Sequence, residues 1–185
     1  MNEAAVKPVH TFKTARTEVK AWKAEANLAF PERERIIDAL LICAVARSNI
    51  ILYGLPGTAK SLLARAFSDA IRAPVFEVLM TRYTTPQEIM GPIDVQALKS
   101  GSMKRVTKGY LPTAHVAFLD EGFKANSACL NALLSAVNEH VFHDDGQAVD
   151  IPLRTAVLAS NEFPEDNDNL QASMTDSRCG LSSRD

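Results

Sequence analysis

A chain of 185 residues can bury a full core but is short for more than one complete domain. Its 46% hydrophobic and 23% charged residues are ordinary for a globular protein, and a net charge of −2 with a pI near 6.1 excludes a broad basic field for nucleic acid. Three widely spaced cysteines (Cys43, Cys129, Cys179) argue for reduced thiols rather than a disulfide framework or zinc cluster, and with no signal core or transmembrane-length apolar run the expectation is a cytoplasmic protein with no membrane span.

Residues 1 to 31 are polar and lysine-rich, with one amphipathic stretch, RTEVKAWKAEANLAF, in which Val19, Trp22 and Ala26 share a helical face. Pro31-Glu32 then suits the first turn of a second helix, PERERIIDALLICAVARS, with Ile36, Ile37, Leu40, Leu41 and Ala44 as its apolar stripe. From Asn49 the rhythm changes. NIILYG reads as a buried strand, SLLARAFSDAIRA as a helix, APVFEVLMT and HVAFLDE as strands, SACLNALLSAVNEH as a helix and TAVLASN as a fourth strand. This alternation predicts an α/β fold with a parallel sheet flanked by helices. Between the last helix and strand, HVFHDDGQAVDIPL predicts a hairpin turning at Asp145-Gly146.

The first strand runs into GLPGTAKS, residues 54 to 61, and a helix follows at once. That context is what a phosphate-binding loop of the pattern G-x-x-x-x-G-K-S/T requires, although Ala59 stands where the pattern has its second glycine. Alone, the stretch is equally consistent with a helix start. In the functional reading, backbone N–H groups of Gly54, Pro56, Gly57, Thr58, Ala59 and the following residues through Leu62 would supply the phosphate cradle, proline excepted as a donor. Lys60 would meet the β- and γ-phosphates, and the Ser61 hydroxyl would take a Mg²⁺ position.

VAFLDE, residues 116 to 121, supplies a second signal. Paired acids at a strand's carboxyl end suit a Mg²⁺-shell carboxylate, Asp120, and a residue polarising the attacking water, Glu121. The alternative, a buried strand entering an acidic turn, loses ground once the lysine loop lies upstream. Asn161, at the tip of TAVLAS, is either an amide positioning that water or an ordinary turn residue. No N-K-x-D guanine motif occurs, which argues against a GTPase. Lys99, Lys104, Arg105 and Lys108 form a local basic cluster that reads as a solvated loop, as does His143-Asp144-Asp145.

Taken together, GLPGTAKSLLAR, EVLMTRYTTPQEIMGPIDVQAL, KGYLPTAHVAFLDEGFKANSACLNALLSAVNEHVF and LASNEFPE resemble the MoxR family of AAA+ ATPases, most closely its RavA-like branch (regulatory ATPase variant A). The resemblance spans about Ile36 to Glu165, and that branch also carries alanine before the lysine. It implies a P-loop NTPase core over residues 32–165, ATP and Mg²⁺ as cofactors, and chaperone-like remodelling of a protein partner by a homo-oligomeric ring. It assigns Lys60 and Ser61 to Walker A, Asp120 and Glu121 to Walker B, and Asn161 to sensor 1. The hairpin about His143 to Asp150 resembles the family's insert, and His140 stands where the family's N-E-R-like stretch has arginine.

After LASNEFPE the resemblance stops, and residues 166–185 show no apolar periodicity. The expectation is a disordered tail without the family's arginine finger and helical lid. A nucleotide-binding fragment with little hydrolysis is therefore the alternative, and an incompletely folded, non-enzymatic product a third reading. One base lost near codon 172 would let the tail be read as LQALYDRFAVRFVVA, so a frameshifted continuation is a further expectation.

Overall fold

Four apolar runs of the sequence become adjacent parallel strands. The computed structural model describes residues 12–54, 60–71, 73–161 and 179–182. Strand β1 is Ile50–Tyr53, β2 Val75–Leu79, β3 Val116–Asp120 and β6 Thr155–Ser160. With β7, Cys179–Ser182, they form one sheet in the order β2-β3-β6-β1-β7, and every pairing within it is parallel. All six residues of β6 are buried, because it is flanked by strands on both sides and covered on both faces, as continuous apolar runs in parallel sheets require.

Helices α1 (Phe12–Ala29), α2 (Glu34–Ala46) and α3 (Lys60–Ile71) cover one face; α4 (Pro86–Met90) and α6 (Ser127–Leu134) cover the other. Side chains alternate across each strand with a period of two. Phe118 and Val157 therefore pack with Ile37, Leu40 and Phe67, while Ala117, Leu119 and Leu158 pack with Ile89, Leu130 and Leu133. Trp22 meets Phe67 edge to face at 5.6 Å, which seats α1 on α3. Val19, expected on the same face, is 42% exposed.

Other differences have local causes. Helix α2 starts at Glu34, not at Pro31: Pro31 and Glu32 form a turn, with Glu32 at φ 63°. The helix expected over residues 127–140 is α-helical only to Leu134, and Ser135–Glu139 widen into a π turn that ends at a left-handed His140. The backbone of Cys179–Ser182 pairs with β1, in register Ile50↔Cys179 to Tyr53↔Ser182. This differs from the disorder expected across the tail. A sheet edge offers free backbone N–H and C=O groups to any extended segment, whatever its side-chain pattern.

The hairpin forms as expected. Strands β4 (Val141–Asp144) and β5 (Gln147–Asp150) pair antiparallel, with Asp145 at φ 50° and Gly146 at φ 75°. Two positive φ angles match a type I′ turn, for which Asp-Gly is a favoured pair. The hairpin's acids are not merely solvated, as expected from sequence. Asp145 accepts from the Ser102 hydroxyl at 2.7 Å and the Met103 N–H at 2.9 Å, and Asp144 accepts from the Arg105 N–H at 3.1 Å. Arg105, read from sequence as part of a solvated basic cluster, also donates to the Gly91 carbonyl at 3.0 Å.

The hairpin tip is thus latched to the loop after α5 (Val95–Lys99). The Ser102 hydroxyl, then the Met103 N–H, hold the Asp145 carboxyl below the usual carboxylate range. A depressed carboxylate contributes above its ordinary value and is lost as pH falls through the lower folded value, so the latch persists to a lower pH than an ordinary aspartate would hold it. Replacing Asp145 with asparagine removes one acceptor oxygen. Amide exchange at Met103 should then accelerate with little change in melting temperature; unchanged exchange at Met103 would contradict the latch.

Gly122 follows β3 where a side chain has no room: an added Cβ would lie 2.0 Å from Leu158 Cδ1. Leu158 is a buried core residue and cannot move aside freely. Overpacking of this kind costs about 1–3 kcal/mol. Gly122→Ala should therefore lower the melting temperature by roughly 2–10 °C, and thermal unfolding followed by circular dichroism checks it.

Candidate functional site

The carboxyl ends of β1, β3 and β6 open on the same side of the sheet, the side where ligands of open α/β folds bind. Beyond β1 lies Gly54, whose N–H donates to the Ser160 carbonyl at 3.2 Å and so fastens the end of β1 to the end of β6. Pro56, Gly57, Thr58 and Ala59 lie outside the described residues. The chain is described again from Lys60, in the first turn of α3. Leu62, two residues on, is 62% exposed.

Lys60 is only 7% exposed, which is unusual for lysine. Its ammonium donates to the Gly54 carbonyl and to Asn161 Oδ1, each at 2.7 Å. Burial pushes its pKa below the ordinary 10.5; Asp120 and Glu121 oppose that shift, and Arg33 adds to it. The Ser61 hydroxyl donates to Asp120 Oδ2 at 3.0 Å. Asn161 Nδ2 donates in turn to Glu121 Oε1. Five sequence-predicted side chains from three separate segments are thus brought together: Lys60 and Ser61, Asp120 and Glu121, and Asn161.

Glu121 sits in the left-handed region, at φ 53° and ψ 37°. A non-glycine residue there costs on the order of 1–3 kcal/mol and persists only where its surroundings hold it. Here Asn161 holds Oε1, and the Lys124 ammonium approaches Oε2 at 3.4 Å. That is an ion-pair distance without hydrogen-bond geometry, so the buried Oε2 has no hydrogen-bond partner. Sequence reasoning missed Lys124. Its only signal was an i,i+3 spacing from Glu121, and that spacing brings the two together because Gly122–Lys124 form a 3₁₀ turn.

A second missed residue is Asn126, which caps α6 by accepting from the Cys129 N–H at 3.0 Å and donates to the Thr84 carbonyl at 2.7 Å. It ties the segment after Glu121 to the loop after β2. A Thr85–Glu88 capping box starts α4 in the same loop.

The oxygen donors fit a hard divalent cation. A serine hydroxyl and a carboxylate 3.0 Å apart are the ligand types Mg²⁺ takes, with its remaining positions left to water and phosphate. Glu121 Oε2, in an ion pair with Lys124 but without a hydrogen bond, is the carboxylate oxygen with acceptor capacity to spare.

Residues 17–177 match the family described as the MoxR domain in the MoxR-vWA-beta-propeller ternary systems. The chain belongs to the MoxR family of AAA+ ATPases. Two uncharacterized proteins of Methanocaldococcus jannaschii, MJ0812 and MJ0079, are each 47% identical to it over 147 residues, which is 79% of this chain and 39% of theirs. Structural protein ORF618 of Acidianus two-tailed virus is 32% identical over 70% of this chain and 22% of its own length. This MoxR chain therefore spans well under half the length of these relatives. A candidate ATPase from Cytophaga hutchinsonii superposes with a TM-score of 0.66 at 16% identity, covering 94% of this chain and 55% of that one. NtrX from Brucella abortus does so with 0.62 at 18%, covering 92% and 41%. At such identities these likenesses show the fold, a P-loop NTPase core of parallel strands flanked by helices. Among the described residues no helix is long and apolar enough to cross a membrane.

Proposed function

We propose that this MoxR domain binds and hydrolyses ATP at the carboxyl ends of β1, β3 and β6 and uses the cycle to remodel a protein partner. The observation that carries this reading is the hydrogen-bonded chain Gly54–Lys60–Asn161–Glu121, with Ser61–Asp120 beside it. Lys60 would exchange acceptors that include the Gly54 carbonyl and Asn161 Oδ1 for the β- and γ-phosphate oxygens, and Gly54 and the residues through Leu62 would line the phosphates. Ser61 and Asp120 would hold Mg²⁺. When bound, that ion supplies charge neutralisation on the phosphates.

Glu121 would take the hydrogen bond of the attacking water on Oε2, which pairs with the Lys124 ammonium but makes no hydrogen bond, while Asn161 fixes the orientation of the carboxylate through Oε1. Because Lys60 and Glu121 share Asn161, phosphate contact and base orientation run through one amide. Release of phosphate from ATP by the purified chain, dependent on Mg²⁺ and lost in Glu121→Gln, tests the proposal.

The RavA-like placement within the family rests on EVLMTRYTTPQEIMGPIDVQAL and on the alanine before Lys60. For the partner, the words of the matched family's description favour a vWA-containing protein and a β-propeller protein; a homo-oligomeric ring as the working form rests on the family resemblance alone. Exposed apolar side chains about the latched loop, Val95, Leu98, Met103 and Val106, support a protein rather than nucleic-acid contact.

A further inference from the structure

Glu121 Oε2, the oxygen that the proposed reaction gives to the attacking water, is shut off from solvent in this structure and makes no hydrogen bond. A general base must come within about 2.6–3.2 Å of the group whose proton it takes, so something must move before water can bind there. The geometry points to Lys124 as a gate: its ammonium covers Oε2 at rest and swings away before Glu121 serves as the base. This inference rests on the reading of Glu121 as that base.

The two contacts on the carboxylate are unequal. Asn161, at the end of β6, donates a hydrogen bond to Oε1. The Lys124 ammonium stands 3.4 Å from Oε2, an ion-pair distance without hydrogen-bond geometry. It occupies the approach to that oxygen without saturating it. Exposure differs in the same sense: the Glu121 side chain is 13% exposed and that of Lys124 43%. The lysine is the member of the pair that reaches water, and exposed side chains change rotamer far faster than any turnover.

The backbone under Lys124 is pinned. Its N–H donates to the Glu121 carbonyl at 2.9 Å and the Ala125 N–H to the Gly122 carbonyl at 3.3 Å, which closes the 3₁₀ turn Gly122–Lys124. Asn126 then caps α6 and donates to the Thr84 carbonyl at 2.7 Å. Movement is thus confined to the lysine's own methylene chain. When the ammonium leaves, the Asn161 hydrogen bond to Oε1 remains, so the carboxylate keeps its orientation and gains an open face. This decides the sign. Removing a residue that only positions the base slows turnover, whereas removing a cover speeds it. A partly exposed ion pair holds one geometry weakly, so the closed state is favoured by only about two- to fivefold.

The test uses the whole chain with Lys124→Met and Lys124→Gln, which remove the charge and keep most of the length. Under saturating ATP and Mg²⁺ each should release phosphate about two- to fivefold faster than the unaltered chain, with KM changed by less than about twofold. Lys124→Arg, which restores a cation, should bring the rate back to within about twofold of the unaltered chain. Added salt should narrow the gap between Lys124→Met and the unaltered chain, because screening loosens the pair only where it exists. A readout without nucleotide checks the pair itself. With isotope-labelled lysine, the Lys124 ammonium resonance should move in Glu121→Gln while that of Lys99 stays still. Rates that fall or hold in both charge-removing variants, an arginine variant as fast as they are, a gap indifferent to salt, or a Lys124 resonance indifferent to residue 121 would overturn the gate and leave the ATPase reading standing. No phosphate release from any form, the unaltered chain included, would overturn both.

Discussion

Replacing Lys60 with alanine should weaken ATP binding by about 2–3 kcal/mol, roughly 30- to 150-fold, because it removes a charged donor from a largely water-excluded site. The lysine is 7% exposed, and burial disfavours its charge. The fold therefore holds an ammonium where it is costly, with the Gly54 carbonyl and Asn161 Oδ1 as compensation. Phosphate oxygens are better acceptors for a charged donor than either. The substitution also strips Asn161 of one partner, leaving its amide held, among the described residues, through Glu121. Titration of a fluorescent ATP analogue into both proteins measures the effect. Equal affinities would remove Lys60 from the nucleotide site.

Glu121→Gln should separate binding from chemistry. Glutamine keeps the size and one acceptor oxygen, so ATP affinity should change by less than about twofold. It cannot take a proton from water, and loss of a general base lowers turnover by on the order of 10²–10⁴. The environment of Glu121 makes the effect large: a strained backbone conformation, an amide on Oε1 and an ammonium 3.4 Å from Oε2 all serve to place one carboxylate. Phosphate release under saturating ATP and Mg²⁺, alongside the binding titration, distinguishes the two effects. Turnover that survives the substitution would mean that Glu121 is not the base.

Much of this arrangement was legible because it depends on local pattern. The apolar runs IILY, VFEVL, VAFLD and TAVLAS each predict a strand, and the alternation with helices predicts parallel pairing. The strand that ends at Asn161 lies between the other two site-bearing strands in the sheet, a placement that chain order alone does not dictate. What stayed hidden depends on contacts between segments distant in sequence. The latch joins Asp145 to Ser102 and Met103 across more than 40 residues, and both ends read from sequence as solvated loops. The π turn at Ser135–Glu139 has no composition signal that marks it off from the α-helix before it. The pairing of Lys124 with Glu121 needs the left-handed glutamate, a conformation that sequence favours for glycine and asparagine instead.

The most direct test of the ATPase reading is a crystal structure of the Glu121→Gln protein grown with ATP and Mg²⁺. The account predicts a γ-phosphate within hydrogen-bond distance of Lys60 Nζ, a Mg²⁺ ion touching Ser61 Oγ on the Asp120 side, and a water between the γ-phosphate and residue 121. Nucleotide bound elsewhere, or phosphates that leave Lys60 on Gly54 and Asn161, would contradict it.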